Sequence, residues 1–359
     1  MKVLFGKSKN LVGLDIGSSS IKAVELLVGG RPGRETYKLK SLGVEPLPPQ
    51  TIVERDIIDN LQVSEAIKKL FAERKIKTRS VCTGIAGNSV IVKKFSLAQM
   101  TPEELAESIH WEAEQYIPFP IADVNLDYQA VESSKAAEQG KMEVLLAAAK
   151  KDKISGYTSV ITQAGRNTVV VDVDAFAVQN AYEINYEMPI NRVVALLNIG
   201  ASLMNINILY QGVSIFSRDI SIGGNNYTDA IQKGLNLSFE RAEAAKKGEA
   251  VDGAAPQQVA NIMNEVSDDL KNEIQKTFEF FKATSGQERI DQIMLSGGTA
   301  KVSGLADLLS DKFNTPVEIM NPFRNVSFNP KAYDPDYIAD IAPFCTVSLG
   351  LALRKVGDR

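Results

Sequence analysis

The chain has 359 residues, of which 44% are apolar and 23% are charged, and its formal net charge is −4. This length predicts two or three domains, and this composition is typical of a folded globular protein and not of a disordered chain. The weak negative charge argues against nucleic acid as a partner. With one histidine and two cysteines, the chain has no Cys/His cluster that would predict a zinc site.

The cysteines and the N-terminus indicate in which cellular compartment the protein is expected. Cys82 and Cys345 lie in apolar stretches and are predicted to be buried free thiols of a reducing compartment. The apolar run within residues 1–8 is too short for a signal peptide, and no apolar stretch approaches the ~20 residues that cross a bilayer. We therefore expect a cytoplasmic protein.

The first motif is a strand, a small turn and a returning strand. An apolar strand over residues 11–14 leads into the turn, and an alternating strand returns over 21–28. Asp15, at the strand end, is placed to hold a hydrated Mg²⁺, and Gly17 lets the backbone approach a ligand because it has no Cβ. The amides and hydroxyls of three serines can donate to phosphate oxygens: Ser18, Ser19 and Ser20. Lys22 is expected to point towards the phosphates, although alone the motif is equally typical of an ordinary hairpin.

Residues 87–165 predict a small α+β unit. Strands are predicted over 88–95, 125–131 and 142–149, and a second helix over 150–164. The first helix begins with Thr101 as its N-cap and Pro102 in its first position, and it continues to Tyr116. Three aromatic side chains are expected to pack this helix on its sheet: Trp111, Tyr116 and Phe119.

A strand over 168–173 and a helix over 176–186 follow this unit. Asp174 stands at the transition between them, where an aspartate is commonly the N-cap.

The first motif recurs at half-chain distance. An apolar strand from Val193 ends in Asn198, and a turn with Gly200, Ala201 and Ser202 leads into a returning strand over 203–210. A unit that recurs once indicates a duplicated domain and not a solenoid. Two such hairpins that face each other would hold the phosphates of a nucleotide from both sides.

Two glycine pairs follow the second hairpin. Gly223 and Gly224 open a predicted helix, where free backbone amides suit a phosphate or its counter-ion shell. Later, a strand over 290–295 enters a turn with Gly297, Gly298 and Thr299, and a helix follows over 305–313. A flat ring can lie against the bare backbone of that turn.

Two phosphate motifs and a late strand–turn–helix motif, in this order, resemble the actin-like ATPase superfamily over residues 11 to about 353. The resemblance implies an α/β fold of duplicated actin-like (ribonuclease H-like) domains with ATP and Mg²⁺ as cofactors. It implies that Asp174 positions the attacking water, a role that competes with the N-cap. It also implies that Glu243 and Lys246 lie beside the ribose and adenine, whereas alone they would be an ordinary i,i+3 contact.

The α+β unit over residues 87–165 is an insert in the first half of the duplication, and it makes the resemblance more specific. Its size and place resemble subdomain 1C of the FtsA branch, and the segments over 112–120 and 171–177 are similar to the PilM family of type IV pilus assembly proteins. The resemblance divides the chain into four parts. These are 10–86 with 166–192 and 340–359 (1A), 87–165 (1C), 193–225 with 285–339 (2A), and 226–284 (2B, small and helical).

One residue departs from the superfamily pattern. The second phosphate motif usually carries an aspartate where this chain has Asn198. Asparagine keeps the shape but loses the charge that draws Mg²⁺ and its waters. The departure predicts that ATP is bound and that its hydrolysis is slow or absent. A Walker-type site is excluded, because no Gly-x-x-x-x-Gly-Lys-Ser/Thr occurs.

The resemblance implies a cytoplasmic ATP-binding scaffold that reaches the inner membrane through a partner. That partner is the cytoplasmic N-terminal peptide of a PilN-like membrane protein, bound between the insert and the first subdomain. Pilus assembly ATPases, platform proteins and self-association stay open as further contacts. The alternatives are a small-molecule kinase, whose acceptor-sugar site and catalytic carboxylate we do not find, and a filament-forming cytoskeletal ATPase.

Overall fold

A computed structural model describes residues 11–31, 33–131, 139–188 and 191–357. Residues 1–10, on which the signal-peptide argument depends, lie outside the described residues. Within the described ranges, no helix is long and apolar enough to span a membrane.

The strands, in chain order, are β1 (Val12–Ile16), β2 (Ser20–Arg31), β3 (Arg34–Pro46), β4 (Ile52–Val53), β5 (Asp56–Ile57), β6 (Ser80–Ile85), β7 (Val90–Ala98), β8 (Val124–Val131), β9 (Lys141–Lys150), β10 (Asn167–Val173), β11 (Val193–Ile199), β12 (Met204–Tyr210), β13 (Val213–Ile220), β14 (Gln292–Ser296), β15 (Val317–Ile319) and β16 (Val326–Ser327). The α-helices are α1 (Asn60–Glu73), α2 (Pro102–Glu114), α3 (Lys151–Gln163), α4 (Asp174–Asn185), α5 (Gly224–Leu235), α6 (Phe239–Lys246), α7 (Pro256–Ser285), α8 (Leu305–Phe313), α9 (Pro335–Ile341) and α10 (Thr346–Ala352).

Two sheets repeat one strand order. The first runs β10-β6-β1-β2-β3-β16 and the second runs β13-β12-β11-β14-β15. In each, a β-meander of three antiparallel strands is extended beside its first strand by two strands that run parallel to that strand. The first sheet has one further strand, β16, which runs parallel to β3 at the other edge. This shared topology confirms the duplication that the two hairpin motifs predict.

The insert is a third, antiparallel sheet with the order β7-β9-β8, covered by α2. Thr101 and Glu104 form the reciprocal capping box at the start of α2, as predicted. Tyr116 stacks on Phe95 with ring centroids 4.4 Å apart. The packing prediction is wrong for Trp111, whose side chain is 74% exposed because it lies on the face of α2 away from the sheet.

The closing helix α10 packs against β1 and α4 and so fixes the strand that carries Asp15. The approach is close. A Cβ on Gly13 would lie 2.0 Å from the carbonyl oxygen of Ser348, and one on Gly350 would lie 1.7 Å from that of Ala177. Only glycine fits at either position.

Both cysteines are buried and outside any disulfide, as predicted. Burial raises the pKa of Cys345 to about 12.

Candidate functional site

The two predicted hairpins face each other. In each turn a glycine amide donates to the carbonyl three residues on, over 3.1 Å from Gly17 and 2.8 Å from Gly200. The hydroxyl oxygens of Ser18 and Ser202 lie 2.6 Å apart and form a hydrogen bond between the hairpins. The two halves of the molecule therefore meet at the turns that the sequence singles out.

The three serines of the first turn differ in exposure. Ser18 is half-buried at the contact with the second hairpin, and Ser20 is buried at the start of β2. Ser19 is exposed, and its carbonyl accepts a hydrogen bond from the amide of Leu47.

Asp15 and Lys22 form an ion pair beside the first turn. They are direct neighbours across β1 and β2, and the Lys22 ammonium lies 3.1 Å from the Asp15 carboxylate. Both side chains are largely buried, and a Cβ on Gly17 would lie 2.7 Å from the ammonium. Lys22 therefore faces the turn and not bulk solvent.

The second hairpin is closed by the start of α5. The Gly224 amide donates to the Gly200 carbonyl over 2.9 Å and the Gly223 amide to the side chain of Asn226 over 2.9 Å. The prediction that free amides of Gly223 and Gly224 face a phosphate is wrong for these two groups, because both are already bonded. The glycines instead allow close packing, since a Cβ on Gly223 would lie 2.7 Å from the Ala201 carbonyl oxygen.

The half-buried side chains of Glu243 and Lys246 form a polar cluster with the buried Thr228, next to Gly224. The Lys246 ammonium lies 2.5 Å from the Glu243 carboxylate and donates to the Thr228 hydroxyl over 2.9 Å. It also donates to the Gly224 carbonyl over 3.2 Å. Burial alone would raise the pKa of Glu243, but Lys246 holds that pKa below its ordinary value.

The third motif also contacts the second hairpin. The Thr299 hydroxyl donates to the Gly200 carbonyl over 2.8 Å. Gly297 has a φ of +83°, and a Cβ there would lie 2.3 Å from the Ile199 carbonyl oxygen. The flat ring that lies against Gly298 is that of Phe344, 2.7 Å from the position of a Cβ.

Asp174 is paired with a residue that the sequence analysis missed. Arg55 donates to the Asp174 carboxylate over 2.5 Å and to the Ile16 carbonyl, at the end of β1, over 3.2 Å. Asp174 is the first residue of α4 and makes no cap hydrogen bond. The N-cap interpretation of Asp174 is therefore wrong, because its carboxylate is directed to Arg55.

Arg55 occupies a tight turn between β4 and β5. Glu54 and Arg55 have φ values of +47° and +70°, a left-handed pair that normally favours glycine or asparagine. The Lys153 ammonium and the Tyr157 hydroxyl both donate to the Arg55 carbonyl and hold the turn. No sequence signal indicates this turn, because it lacks the usual turn residues.

The carboxyl of Asp174 is buried, and only one of its two oxygens has a hydrogen-bond partner. Its Oδ1 has no hydrogen-bond partner and fills the space that a side chain on Gly84 would need, 2.1 Å from the position of a Cβ. Burial raises the pKa of Asp174 to about 7, and the guanidinium of Arg55 opposes that rise.

Asn198 lies beside the third motif, with its amide already hydrogen-bonded. Its Oδ1 accepts from the Ser296 hydroxyl over 3.2 Å, and its Nδ2 donates to Asn205 over 3.3 Å. Within the part of the chain that the structure describes, no group of three or more acid, histidine or cysteine side chains could hold a metal ion.

Two sheets of one repeated strand order, with a hairpin of each facing the other, define a protein of the actin-like fold. A model of the family described as type IV pilus assembly protein PilM matches residues 13–356. The chain belongs to this family.

Solved structures agree with this assignment. A PilM-PilN type IV pilus biogenesis complex is 31% identical, over 97% of this chain and 99% of that chain, with a TM-score of 0.84. MreB 5 of Spiroplasma citri bound to AMPPNP is 14% identical, over 96% of this chain and 95% of that chain, and its TM-score of 0.51 indicates a shared fold. The predicted actin-like fold class is confirmed.

The cell division protein FtsA of Bacillus subtilis is 24% identical, over 96% of this chain and 86% of that protein. This likeness agrees with the FtsA branch that the insert predicts.

Proposed function

We propose that this protein is a nucleotide-binding scaffold of type IV pilus assembly that binds the cytoplasmic N-terminal segment of a PilN-like membrane protein. One observation carries the proposal: the chain is 31% identical, over 97% of its length, to a PilM solved with PilN, at a TM-score of 0.84. The likeness spans almost the whole chain and therefore includes the insert. The scaffold lies in the cytoplasm and reaches the inner membrane through this partner.

The insert and the first sheet form the peptide site in this proposal. The insert covers residues 87–165 and belongs to subdomain 1C, and the first sheet belongs to 1A. An extended peptide can add to a sheet edge by main-chain hydrogen bonds. Strand β8 is an edge of the insert sheet and offers such a position.

ATP with Mg²⁺ binds in the cleft between the two hairpins. Three observations fit this ligand. Gly17 has no Cβ, and the hydroxyls of Ser18 and Ser202 meet between the two turns. Asp174 has one buried carboxylate oxygen without a hydrogen-bond partner. Asp15 holds Mg²⁺ through water, and the ion neutralises phosphate charge. Asp174 positions water near the phosphates, and Glu243 and Lys246 lie beside the ribose and adenine.

The second hairpin and the third motif complete this cleft. Their residues, with those of the first hairpin, are the candidate ligands: Gly17, Ser18, Ser19, Ser20, Lys22, Asn198, Gly200, Ala201, Ser202, Gly297, Gly298 and Thr299. Gly223 and Gly224 shape the second hairpin by close packing and do not donate to the ligand, because their amides are already bonded.

Calorimetric titration with a synthetic peptide tests the partner. The peptide is the cytoplasmic N-terminal segment of the PilN-like protein of the same organism, and a scrambled peptide of equal composition is the control. We expect saturable one-to-one binding of the natural sequence only. Equal binding of both peptides, or binding of neither, would contradict the proposal.

A further inference from the structure

A row of side-chain hydrogen bonds crosses the second sheet. The Ser296 hydroxyl donates to Asn198 over 3.2 Å, Asn198 donates to Asn205 over 3.3 Å, and Asn205 donates to Asp219 over 2.5 Å. The four residues are direct neighbours on β14, β11, β12 and β13. We call these four residues the polar row. Because the sheet fixes their spacing, the row is a continuous element across four strands.

The polar row ends at the entrance to the insert. The second carboxylate oxygen of Asp219 accepts a hydrogen bond from the backbone amide of Gly87 over 2.6 Å. Gly87 is the second residue after β6 and precedes β7, with a φ of +93°. The insert strand β7 is an edge strand that lies beside β13. Asp219 therefore joins the second sheet to the point where the chain leaves the first sheet for the insert.

The other end of the polar row lies in the candidate nucleotide site. Asn198 is the penultimate residue of β11, the strand that leads into the second hairpin turn, and its Oδ1 lies 3.0 Å from the position of a Cβ on Gly297. A ligand at this hairpin therefore lies next to the first amide of the row.

All the donors in the row point in one direction. Each amide group donates its N–H₂ towards Asp219, and the carboxylate accepts from both sides. An aspartate in place of Asn198 could not donate to Asn205. The amide of Asn205 would then lie between two carboxylates, the new one and that of Asp219, which both accept hydrogen bonds. This direction gives a physical reason for the asparagine that departs from the superfamily pattern. Hydrogen bonds in series polarise one another in a low-dielectric interior, so a change at one end affects the next bond.

We propose that the polar row couples nucleotide binding in the cleft to the position of the insert, through Asp219 and the Gly87 amide. The inference rests on the proposed function, because it requires a nucleotide at the second hairpin. Coupling between two ligands is reciprocal. A nucleotide that favours one insert position therefore raises the affinity for the peptide, and the peptide raises the affinity for the nucleotide by the same factor.

Hydrogen exchange with Mg-AMPPNP tests the coupling without hydrolysis. In the natural protein we expect the nucleotide to slow amide exchange across residues 87–98 by about fivefold or more, the lower end of typical coupling factors. Asp219→Asn should reduce this effect below about twofold, because an amide there faces two donors and can accept well from only one. Its Mg-AMPPNP affinity should stay within about threefold of the natural value, since Asp219 lies outside the cleft.

Two further variants complete the test. Asn198→Asp breaks the row at its other end without a change of side-chain size, and it should also lose the response at 87–98. Ser217→Ala on β13 changes the same strand outside the row and should keep the response. The coupling alone would be overturned if Asp219→Asn or Asn198→Asp kept the full slowing of amide exchange at residues 87–98. It would also be overturned if the natural protein bound Mg-AMPPNP without any change of exchange at 87–98. Absence of Mg-AMPPNP binding would overturn the proposed function and the coupling with it.

Discussion

The hydroxyl oxygens of Ser18 and Ser202 lie 2.6 Å apart, although 184 residues separate them in the chain. This hydrogen bond joins the two turns between which the nucleotide phosphates are proposed to bind. A phosphate in that position accepts hydrogen bonds from both hydroxyls, one of which now donates to the other.

Ser18→Ala should therefore weaken Mg-ATP binding by about tenfold, because a hydrogen bond to a charged group contributes roughly 1.5 kcal/mol or more. Fluorescence titration with a labelled ATP analogue measures the dissociation constant. Ser217→Ala is the matched control, since Ser217 lies on β13 outside the two hairpin turns, and should change the affinity by less than about twofold. Equal losses in the two variants would argue against a phosphate at the Ser18–Ser202 contact.

Gly84→Ala should destabilise the protein. The new methyl group would lie 2.1 Å from the Asp174 carboxylate and would push Asp174 away from Arg55. Overpacking of this kind typically costs about 1–3 kcal/mol, which urea unfolding can resolve. Gly156→Ala in α3 is the control, because nothing lies within 4 Å of its Cβ position, and alanine favours helix by roughly 1 kcal/mol. A neutral Gly84→Ala would contradict the packing of Asp174 against β6.

The stability of the protein should depend on Asp174 between pH 4 and pH 7. Burial raises the pKa of Asp174 from 3.8 to about 7, so the native state holds this proton more tightly than the unfolded chain does. The resulting stabilisation is full below pH 4 and is lost as the pH rises to about 7, by up to roughly 4 kcal/mol. Asp174→Asn removes this titration.

Urea unfolding of the natural protein and Asp174→Asn at a series of pH values measures the effect. The difference in free energy of unfolding, natural minus variant, should fall as the pH rises. A difference that is independent of pH would show that Asp174 ionises with its ordinary pKa.

Asn198→Asp should speed ATP hydrolysis by roughly tenfold or more, because an aspartate adds a charge that draws Mg²⁺ and its waters to the phosphates. ATP should still bind to both proteins. Phosphate release under single-turnover conditions compares them directly. Equal and fast release from both would remove the argument that this asparagine limits hydrolysis.

Local patterns in the sequence predict much of the fold. The alternation over β2 directs Lys22 towards the first turn, as expected, and Thr101 with Glu104 marks the start of α2 at the correct residue. The recurrence of one hairpin motif predicts the shared topology of the two sheets. These features depend on residues that are close in the chain or on a repeat that can be read directly.

Long-range contacts account for the features that could not be predicted. Arg55 reaches Asp174 across 119 residues, from a left-handed turn without glycine or asparagine. The ring of Phe344 lies against Gly298 because the closing segment packs back onto the third motif. The amides of Gly223 and Gly224 are bonded because α5 begins directly against the second hairpin. The partners of Asp174, Gly298 and Gly224 are distant in the chain, whereas the Gly223 amide is bonded locally, to Asn226.

The most direct test of the nucleotide site is the Mg²⁺ dependence of ATP binding in the natural protein and in Asp15→Ala. Asp15 now pairs with Lys22 over 3.1 Å. With this carboxylate removed, the water-mediated Mg²⁺ contact is lost and the Lys22 ammonium is free to attract phosphate. We predict that Mg²⁺ strengthens ATP binding to the natural protein and that this gain disappears in Asp15→Ala, while binding in EDTA is kept or improved. An equal gain from Mg²⁺ in both proteins, or no ATP binding to the natural protein, would contradict the proposed site.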